Sequence, residues 1–350
     1  MRPVRRPRPL RLALLGFGSV GRRFAERLLG DYGRILRRLG VEPRVTGIAT
    51  ARHGAAVDPR GLPLRRALSL AAGGSGLGEL DRWGGFASTA DFVGRVPAEV
   101  LFELTPLEPR SGQPAIRHVR LALRRGLHVV TANKGPVAFA LAALQALARR
   151  QGARFLHEGA VMDGAPVFNL VARCLPGVRV LSFRGALNST TTRILTRMEQ
   201  GLDPQAALRE AQAAGVAEAD PSNDLEGWDA AVKGCAVANS LMGARLRPSQ
   251  VRRAGIGGIG LEDVQRALAS GGRFRLVVRG ERAGRGVRVT VGPERLPAGD
   301  LLVTPGCDGV LVLDTDLMGE VGIWEGVGGV DQTAYALLSD LIAILEAGAG

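Results

Sequence analysis

The sequence predicts an α/β protein: a doubly wound parallel sheet at the amino end, followed by a second α+β region. Three observations predict it. An apolar strand at 11–15 runs directly into a Gly-x-Gly-x-x-Gly turn, Gly16-Phe17-Gly18-Ser19-Val20-Gly21, that opens a helix. Strand and helix periodicities then alternate as far as residue 150. Between residues 273 and 318 the helical spacing gives way to closely spaced strands.

Taken in order, residues 1–10 are rich in proline and arginine and read as a frayed arm. The helical spacing from Val20 to about Leu39 is interrupted near Gly30 and Gly33, and residues 44–49 supply the second strand. A glycine-rich loop covers 71–85. Residues 100–104 form a strand, 115–125 a helix, 127–131 a strand and 137–150 an alanine-rich helix. A short strand at 154–158 and a helix at 164–174 lead to a strand at 179–187 and the run Asn188-Ser189-Thr190-Thr191-Thr192. Helices follow at 203–214, with Pro204 at the favoured first position, and at 228–242, with an acidic loop at 219–227 between them. Strands at 274–279, 287–291 and 309–314, a glycine run and a helix at 333–346 complete the chain. Residues 1–135 are assigned as a Rossmann-type dinucleotide-binding domain and 136–320 as a substrate domain.

Composition narrows the function classes. At 350 residues, 46% of them hydrophobic, the chain can bury one large core or two ordinary ones. Cys174, Cys235 and Cys307 lie far apart with no CxxC pair, which argues against a disulfide framework and fits a reducing compartment. Cys307, in Pro-Gly-Cys-Asp-Gly, reads as a small buried residue rather than a nucleophile. No apolar run reaches membrane-spanning length, and the apolar stretch 12–15 is too short for a signal core, so a cytoplasmic location is expected. The net charge of +13 is spread along the chain and aromatics are only 4%, so a nucleic-acid platform is not expected. The histidines form no metal-ligand pair, and no GxSxG elbow is present.

Among 46 basic residues only Lys134 and Lys233 are lysines. Arginine keeps its charge in proteins and cannot shuttle a proton, whereas a desolvated lysine beside another cation can be brought towards working pH. The two positions therefore read as requiring a chemistry that arginine lacks. Lys134 follows a strand at the carboxyl edge of the sheet, where doubly wound folds bind ligands. Lys233 lies four residues after Asp229 on one helix, so the two share a face. The glycine turn fits a dinucleotide, because a pyrophosphate can approach its backbone and the helix N-terminus. The second strand ends in Ala49-Thr50-Ala51-Arg52-His53 with no acid for a ribose 2′-hydroxyl. Arg52 is placed to meet a 2′-phosphate, which favours NADP over NAD. The acidic loop Glu218–Asp224 carries two readings: it holds an ammonium group, or it caps the helix starting near Gly227. The threonine run likewise either binds a carboxylate or starts a helix capped by Asn188 or Ser189.

Together these motifs resemble homoserine dehydrogenase. GFGSVG at 16–21, VVTANKGP at 129–136, EGAVMDGAP at 158–166, GALNSTTTRILTRMEQG at 185–201, EADPSNDLEGWDAAVKG at 218–234 and GGVDQTAYALLSDLI at 328–342 fall in that family's order and cover most of the chain. The resemblance implies NAD(P)-dependent interconversion of L-homoserine and L-aspartate 4-semialdehyde, in synthesis of the aspartate-derived amino acids threonine and methionine. It implies Lys233 as the acid/base group, Lys134 as a second cation, and Asp229 as the residue orienting Lys233. Glu218, Asp224 and Thr190 would bind substrate, with Glu218 and Asp224 at its amino end. Thr105, Asn133, Lys134, Gly328 and Gly329 would join the glycine turn at the cofactor. The family's monovalent-cation site, for Na+ or K+, would fall on Glu158, Val161, Asp163 and Ala165.

The resemblance further implies a homodimer formed through the middle region, and residues 321–350 returning to the cofactor domain. Longer family members append an amino-acid-sensing domain; none is present here, and feedback of that type is not expected. The chain departs from the family where Met162 and Asp163 replace glycines and where Ser189 and Arg193 replace a glycine and an aromatic residue. Those departures leave a paralogous dehydrogenase for another small hydroxy acid or aldehyde as the alternative.

Overall fold

The computed structural model describes residues 7–304, 309–326 and 328–347. Its first sheet contains β1 (Arg8–Leu15), β2 (Val41–Thr50), β3 (Gly54–Val57), β4 (Val100–Glu103), β5 (His128–Thr131) and β6 (Phe155–Leu156). They lie in the order β3-β2-β1-β4-β5-β6. β1 pairs in parallel with β2 and β4, β4 with β5, and β5 with β6, the doubly wound arrangement. Leu12, Ala13, Leu14 and Leu15 are fully buried, as a central parallel strand covered on both faces requires. The edge differs from the expected parallel pattern. β3 runs antiparallel to β2, through a reversal that ends at Gly54 with φ +72°.

Helices α1 (Ser19–Leu29) and α2 (Asp31–Arg38) break at Gly30, close to where the glycines interrupt the periodicity. α3 (Leu64–Ala72), α4 (Thr89–Arg95), α5 (Ala115–Arg124) and α6 (Lys134–Arg150) complete the layers around this sheet. α6 starts three residues earlier than the sequence predicts. Asn133 Oδ1 accepts the Gly135 N–H at 2.9 Å, and Pro136 suits the first turn. This cap places Lys134 on the first turn of the helix rather than in the loop before it.

Residues 8–10, expected to belong to a frayed arm, are part of β1 instead. β1 begins at Arg8, whose N–H donates to Gly40 and whose guanidinium reaches Glu99 at 2.8 Å. Residues 1–6 lie outside the described residues, as does the reading of Cys307.

The second sheet contains β7 (Val180–Ala186), β8 (Arg252–Arg253), β9 (Gly272–Ala283), β10 (Gly286–Pro297), β11 (Gly309–Thr315) and β12 (Gly319–Glu325), in the order β12-β11-β7-β9-β10-β8. β9 and β10 form a long hairpin closed at Gly284-Arg285. β12 carries little alternation, with Ile323 its one buried residue, so the sequence did not reveal it.

Helices α7 (Ser189–Glu199), α8 (Pro204–Ala213), α9 (Trp228–Leu241) and α10 (Leu261–Ala269) belong to this half. α9 seats directly on the β9–β10 hairpin: a Cβ at Gly234 would come within 2.6 Å of Val278 and 2.9 Å of Val289. Asn239 on α9 donates to the carbonyls of Val137 and Ala138 on α6. The two lysine-bearing helices are thereby tied together. A final helix, α11 (Val330–Ala347), packs Ala334, Leu337 and Leu341 into one core with Phe17 and Phe24 of the first half. Among the described residues, no helix is long and apolar enough to cross a membrane.

Candidate active site

The two halves meet at a cavity of about 520 Å³, whose lining includes Thr105, Asn133, Lys134, Ser189, Lys233 and Glu325. The turn after β1 forms one end. Gly16 has φ +106°, and a Cβ there would sit 2.4 Å from Leu104 O. A Cβ at Gly21 would sit 2.5 Å from Gly16 O, whereas Gly18 has no heavy atom within 4 Å of that position. The first and last glycines let α1 pack against the strand, and the middle one leaves its backbone open to a ligand. Alanine at Gly21 is therefore expected to weaken NADPH binding by about 10-fold or more, since overpacking typically costs ~1–3 kcal/mol. Fluorescence titration of NADPH against the unaltered protein measures this; an unchanged Kd would contradict the packing argument.

Asp229 organises the centre. It lies in the first turn of α9 after Gly227, which adopts φ +79°, so its carboxylate sits where the helix dipole favours negative charge. Lys134 Nζ donates to its Oδ1 at 2.8 Å, and Lys233 Nζ is 3.1 Å from its Oδ2. Asn188 Nδ2 also donates to Oδ2, at 3.0 Å. Burial alone would raise the Asp229 pKa, but Lys134 and Lys233 outweigh it and hold the carboxylate far below its ordinary range. Lys233 Nζ also donates to the Leu187 carbonyl.

Burial works against the charge on Lys134, and Asp229 overcomes it, so its pKa is raised. For Lys134 this corrects the expectation that a neighbouring cation brings a desolvated lysine towards neutral pH. The carboxylate between the two lysines was the missing consideration, although Asp229 itself was legible four residues before Lys233.

Thr105 and Asn133 border the same cavity and hold each other: Asn133 Nδ2 donates to Thr105 O at 2.8 Å. Thr105 Oγ1 donates to Glu103, which is fully buried at the end of β4 and also accepts from Thr131. Sequence reasoning missed Glu103. An acid ending the apolar strand Val100-Leu101-Phe102 was the available signal. Val20, Gly328 and Gly329 also line the cavity, whereas Arg52 is exposed in the turn after β2 with no ion pair among the described residues. Its N–H donates to Thr50 Oγ1 at 3.2 Å.

The threonine run takes the structural reading. Asn188 Oδ1 accepts Thr191 N–H at 2.9 Å and caps α7. Thr190 Oγ1 donates to Val216 O, and Thr191 and Thr192 both donate to Asn188 O, so these hydroxyls turn to backbone. Ser189, not Thr190, borders the cavity. The acidic loop does not cap α9 through a side chain. Asp224 accepts from Asn188 Nδ2 at 2.7 Å, while Glu218 is exposed and outside the cavity lining. Arg193 bonds Glu210 at 2.9 Å and does not line the cavity.

The segment 158–166 is held tightly. Glu158 accepts Phe168 N–H at 2.9 Å and Asn169 N–H at 2.6 Å, so its carboxylate faces amides of the short helix Val167–Asn169. Met162 and Asp163 adopt φ 53° and φ 43°, the left-handed region that suits glycine, with Asp the better tolerated of the two. Thr333 Oγ1 donates to Asp163 at 3.2 Å. Glu325, at the end of β12, accepts Gly164 N–H at 3.3 Å. Burial, with Asp163 adding to it, pushes its pKa up to about 7. Glu325 was not among the expected site residues, because its strand was not legible.

A family model described as homoserine dehydrogenase matches residues 166–342. The NAD(+)-dependent homoserine dehydrogenase of Pseudomonas canavaninivorans is 35% identical, with 95% of this chain and 96% of that protein aligned. The homoserine dehydrogenase of Methanocaldococcus jannaschii is 36% identical, over 95% and 98% of the two chains. Among solved structures, a homoserine dehydrogenase from Thiobacillus denitrificans superposes with a TM-score of 0.82 at 29% identity, covering 98% of this chain and 75% of that one. A hyperthermophilic archaeal homoserine dehydrogenase mutant in complex with NADPH gives the same TM-score at 28% identity, covering 97% of this chain and 98% of that one.

Proposed function

This chain belongs to the homoserine dehydrogenase family, NAD(P)-dependent oxidoreductases interconverting L-homoserine and L-aspartate 4-semialdehyde, and from that premise we propose that Lys233 is the acid/base group. The observation carrying this assignment is the Lys134–Asp229–Lys233 bridge, which puts both lysines of the chain on one cavity wall. The open backbone at Gly18 beside the close-packed Gly16 and Gly21 fits the dinucleotide. When bound, NAD(P) supplies the hydride chemistry.

In the oxidising direction Lys233 enters as the amine and takes the hydroxyl proton; in the reducing direction it enters as the ammonium and returns that proton to the carbonyl oxygen. Asp229 fixes the direction of both lysines, and Lys134 holds a second positive charge near the substrate oxygen and the nicotinamide. Asn133 and Thr105 border the nicotinamide end, with Glu103 behind them. Asp224 acts through Asn188, and Glu218 stands where the family places an ammonium ligand. A monovalent cation in segment 158–166 would rest on the carbonyls of Val161, Asp163 and Ala165. The Glu158 carboxylate does not fit that ligand set, because it is engaged by helix amides, and no step is assigned to the ion.

NADP is preferred over NAD in this reading, through Arg52. Arg52→Ser is expected to lower kcat/KM with NADP by about 10-fold, as losing one charge-assisted hydrogen bond does, and to leave NAD turnover unchanged. Parallel loss with both cofactors would refute the contact. The assembly we propose is a cytoplasmic homodimer; exposed Leu317, Met318 and Trp324 around β12 supply apolar surface for association. NADPH formation from homoserine at mildly alkaline pH tests the activity, and absence of turnover by folded, NADPH-binding protein would overturn it.

A further inference from the structure

Resting on the NAD(P) reading above, we propose that Glu103 is a positioning residue for the nicotinamide half of the cofactor. It orders that half without touching it, through a closed ring of hydrogen bonds with Thr105, Asn133 and Thr131. The ring starts from an unfavourable residue. β4 reads Val100-Leu101-Phe102-Glu103 with all four side chains buried, and an acid in the last place is destabilising unless its oxygens find partners. Two neighbouring loops supply them. Oε1 accepts both the Thr105 N–H, at 3.3 Å, and the Thr105 hydroxyl. Thr131 stands opposite Glu103 in the β4–β5 register, and its Oγ1 lies 2.7 Å from Glu103 O and 3.1 Å from Oε2.

Thr131 Oγ1 in turn accepts the Asn133 N–H at 2.9 Å. Asn133 closes the ring: its Nδ2 donates to Thr105 O at 2.8 Å, while its Oδ1 caps α6 at Gly135. Thr105 and Asn133 line the cavity together with Lys134, whereas Glu103 and Thr131 are fully buried behind them. Leu104 presents the carbonyl that a Cβ at Gly16 would meet at 2.4 Å, so the loop held by the ring abuts the glycine turn as well. His118 Nδ1 is 3.9 Å from Oε1, outside hydrogen-bond distance, and His118 Nε2 pairs with Thr89 Oγ1 instead. The acceptors of Glu103 are therefore directed to the two loops that border the nicotinamide end. Such a ring orders its loops as a unit, since each bond holds the partner of the next.

The test compares binding of a whole cofactor with binding of its adenosine half. The variants are titrated by fluorescence with NADPH or NADH, whichever the unaltered protein binds more tightly. The half lacking nicotinamide, 2′,5′-ADP or ADP respectively, is titrated by calorimetry. Glu103→Leu keeps the strand apolar and removes both side-chain acceptors. It is expected to raise Kd for the whole cofactor by about 10-fold and to change Kd for the adenosine half by less than about 3-fold. Thr131→Val breaks the ring from the other strand with little change of volume, and decides the matter should Glu103→Leu not fold. It should show the same selective loss, and the double variant should lose no more than either single one. Glu103→Gln retains Oε1 for Thr105 and can offer its amide to Thr131 Oγ1, so its affinity should stay within about 3-fold of normal. Equal weakening of both ligands would assign Glu103 a structural role and overturn the proposal. A loss in Glu103→Gln as deep as in Glu103→Leu would overturn it too, because charge rather than the ring would then be at work. Failure of the unaltered protein to bind either cofactor would remove the NAD(P) reading and this proposal with it. Unchanged cofactor affinity in Glu103→Leu and Thr131→Val would remove this proposal alone.

Discussion

Lys233→Arg is expected to lower kcat for homoserine oxidation by about 10²- to 10⁴-fold, the range that loss of a positioned acid/base group produces. Arginine preserves the positive charge beside Asp229, so the ion pair and the α9 position are retained. What disappears is proton exchange, because guanidinium remains charged at any working pH. NADPH affinity, followed by fluorescence, should stay near that of the unaltered protein. Activity within 10-fold of normal would sink the acid/base assignment, whereas loss of both turnover and NADPH binding would indicate a structural failure. The substitution is discriminating in this protein because nearly every other basic position is already arginine.

Asp229→Asn has the second large effect, and it acts through both lysines. The carboxylate is buried between Lys134 and Lys233, with only 13% of its side chain exposed. Removing it leaves two neighbouring cations with no counter-charge in a desolvated site, a change that typically costs ~3–5 kcal/mol. Urea unfolding should show this as a lower midpoint. Catalysis changes in a definite direction as well. Asp229 is what raises the Lys134 pKa against burial, so losing it lowers that value. The maximum kcat for homoserine oxidation should fall at the same time, because neither lysine is then held in direction. An unchanged kcat would show that Asp229 does not position the lysines.

The readable parts of the sequence were those in which a local pattern and a chemical need coincide. The strand, glycine turn and helix at 11–29 combine buried alternation with glycines that steric contact demands. The lysine pair stood out because arginine had replaced lysine elsewhere, and Asp229 followed from helical spacing. Lys134 and Lys233 are 99 positions apart in the chain, and only packing of α6 on α9, held by Asn239, brings them together. That contact is long-range and has no local signature.

Other features were hidden for different reasons. β12 is an edge strand with one buried side chain, so it lacks the alternation that reveals a strand, and Glu325 was hidden with it. Arg193 looked like a charge near the substrate, but Glu210 lies one helix away and draws it off. Thr190 looked like a ligand hydroxyl, but the Val216 carbonyl satisfies it. In each case a partner far along the chain decided which of two local readings held. The left-handed backbone at Met162 and Asp163 is a further example. The glycines customary there are absent, yet Thr333 from the far end of the chain fixes the Asp163 side chain.

The position of α11 has a consequence for synthesis. By the time β6 leaves the ribosome, every strand of the first sheet has been made, but Phe17 and Phe24 still lack the Ala334–Leu337–Leu341 face that completes their core. The nascent chain therefore carries an uncovered apolar flank while the whole second sheet is translated. Its dinucleotide fold closes only once α11 has been made and docks, and until then this flank is where a holding chaperone or a neighbouring nascent chain would bind.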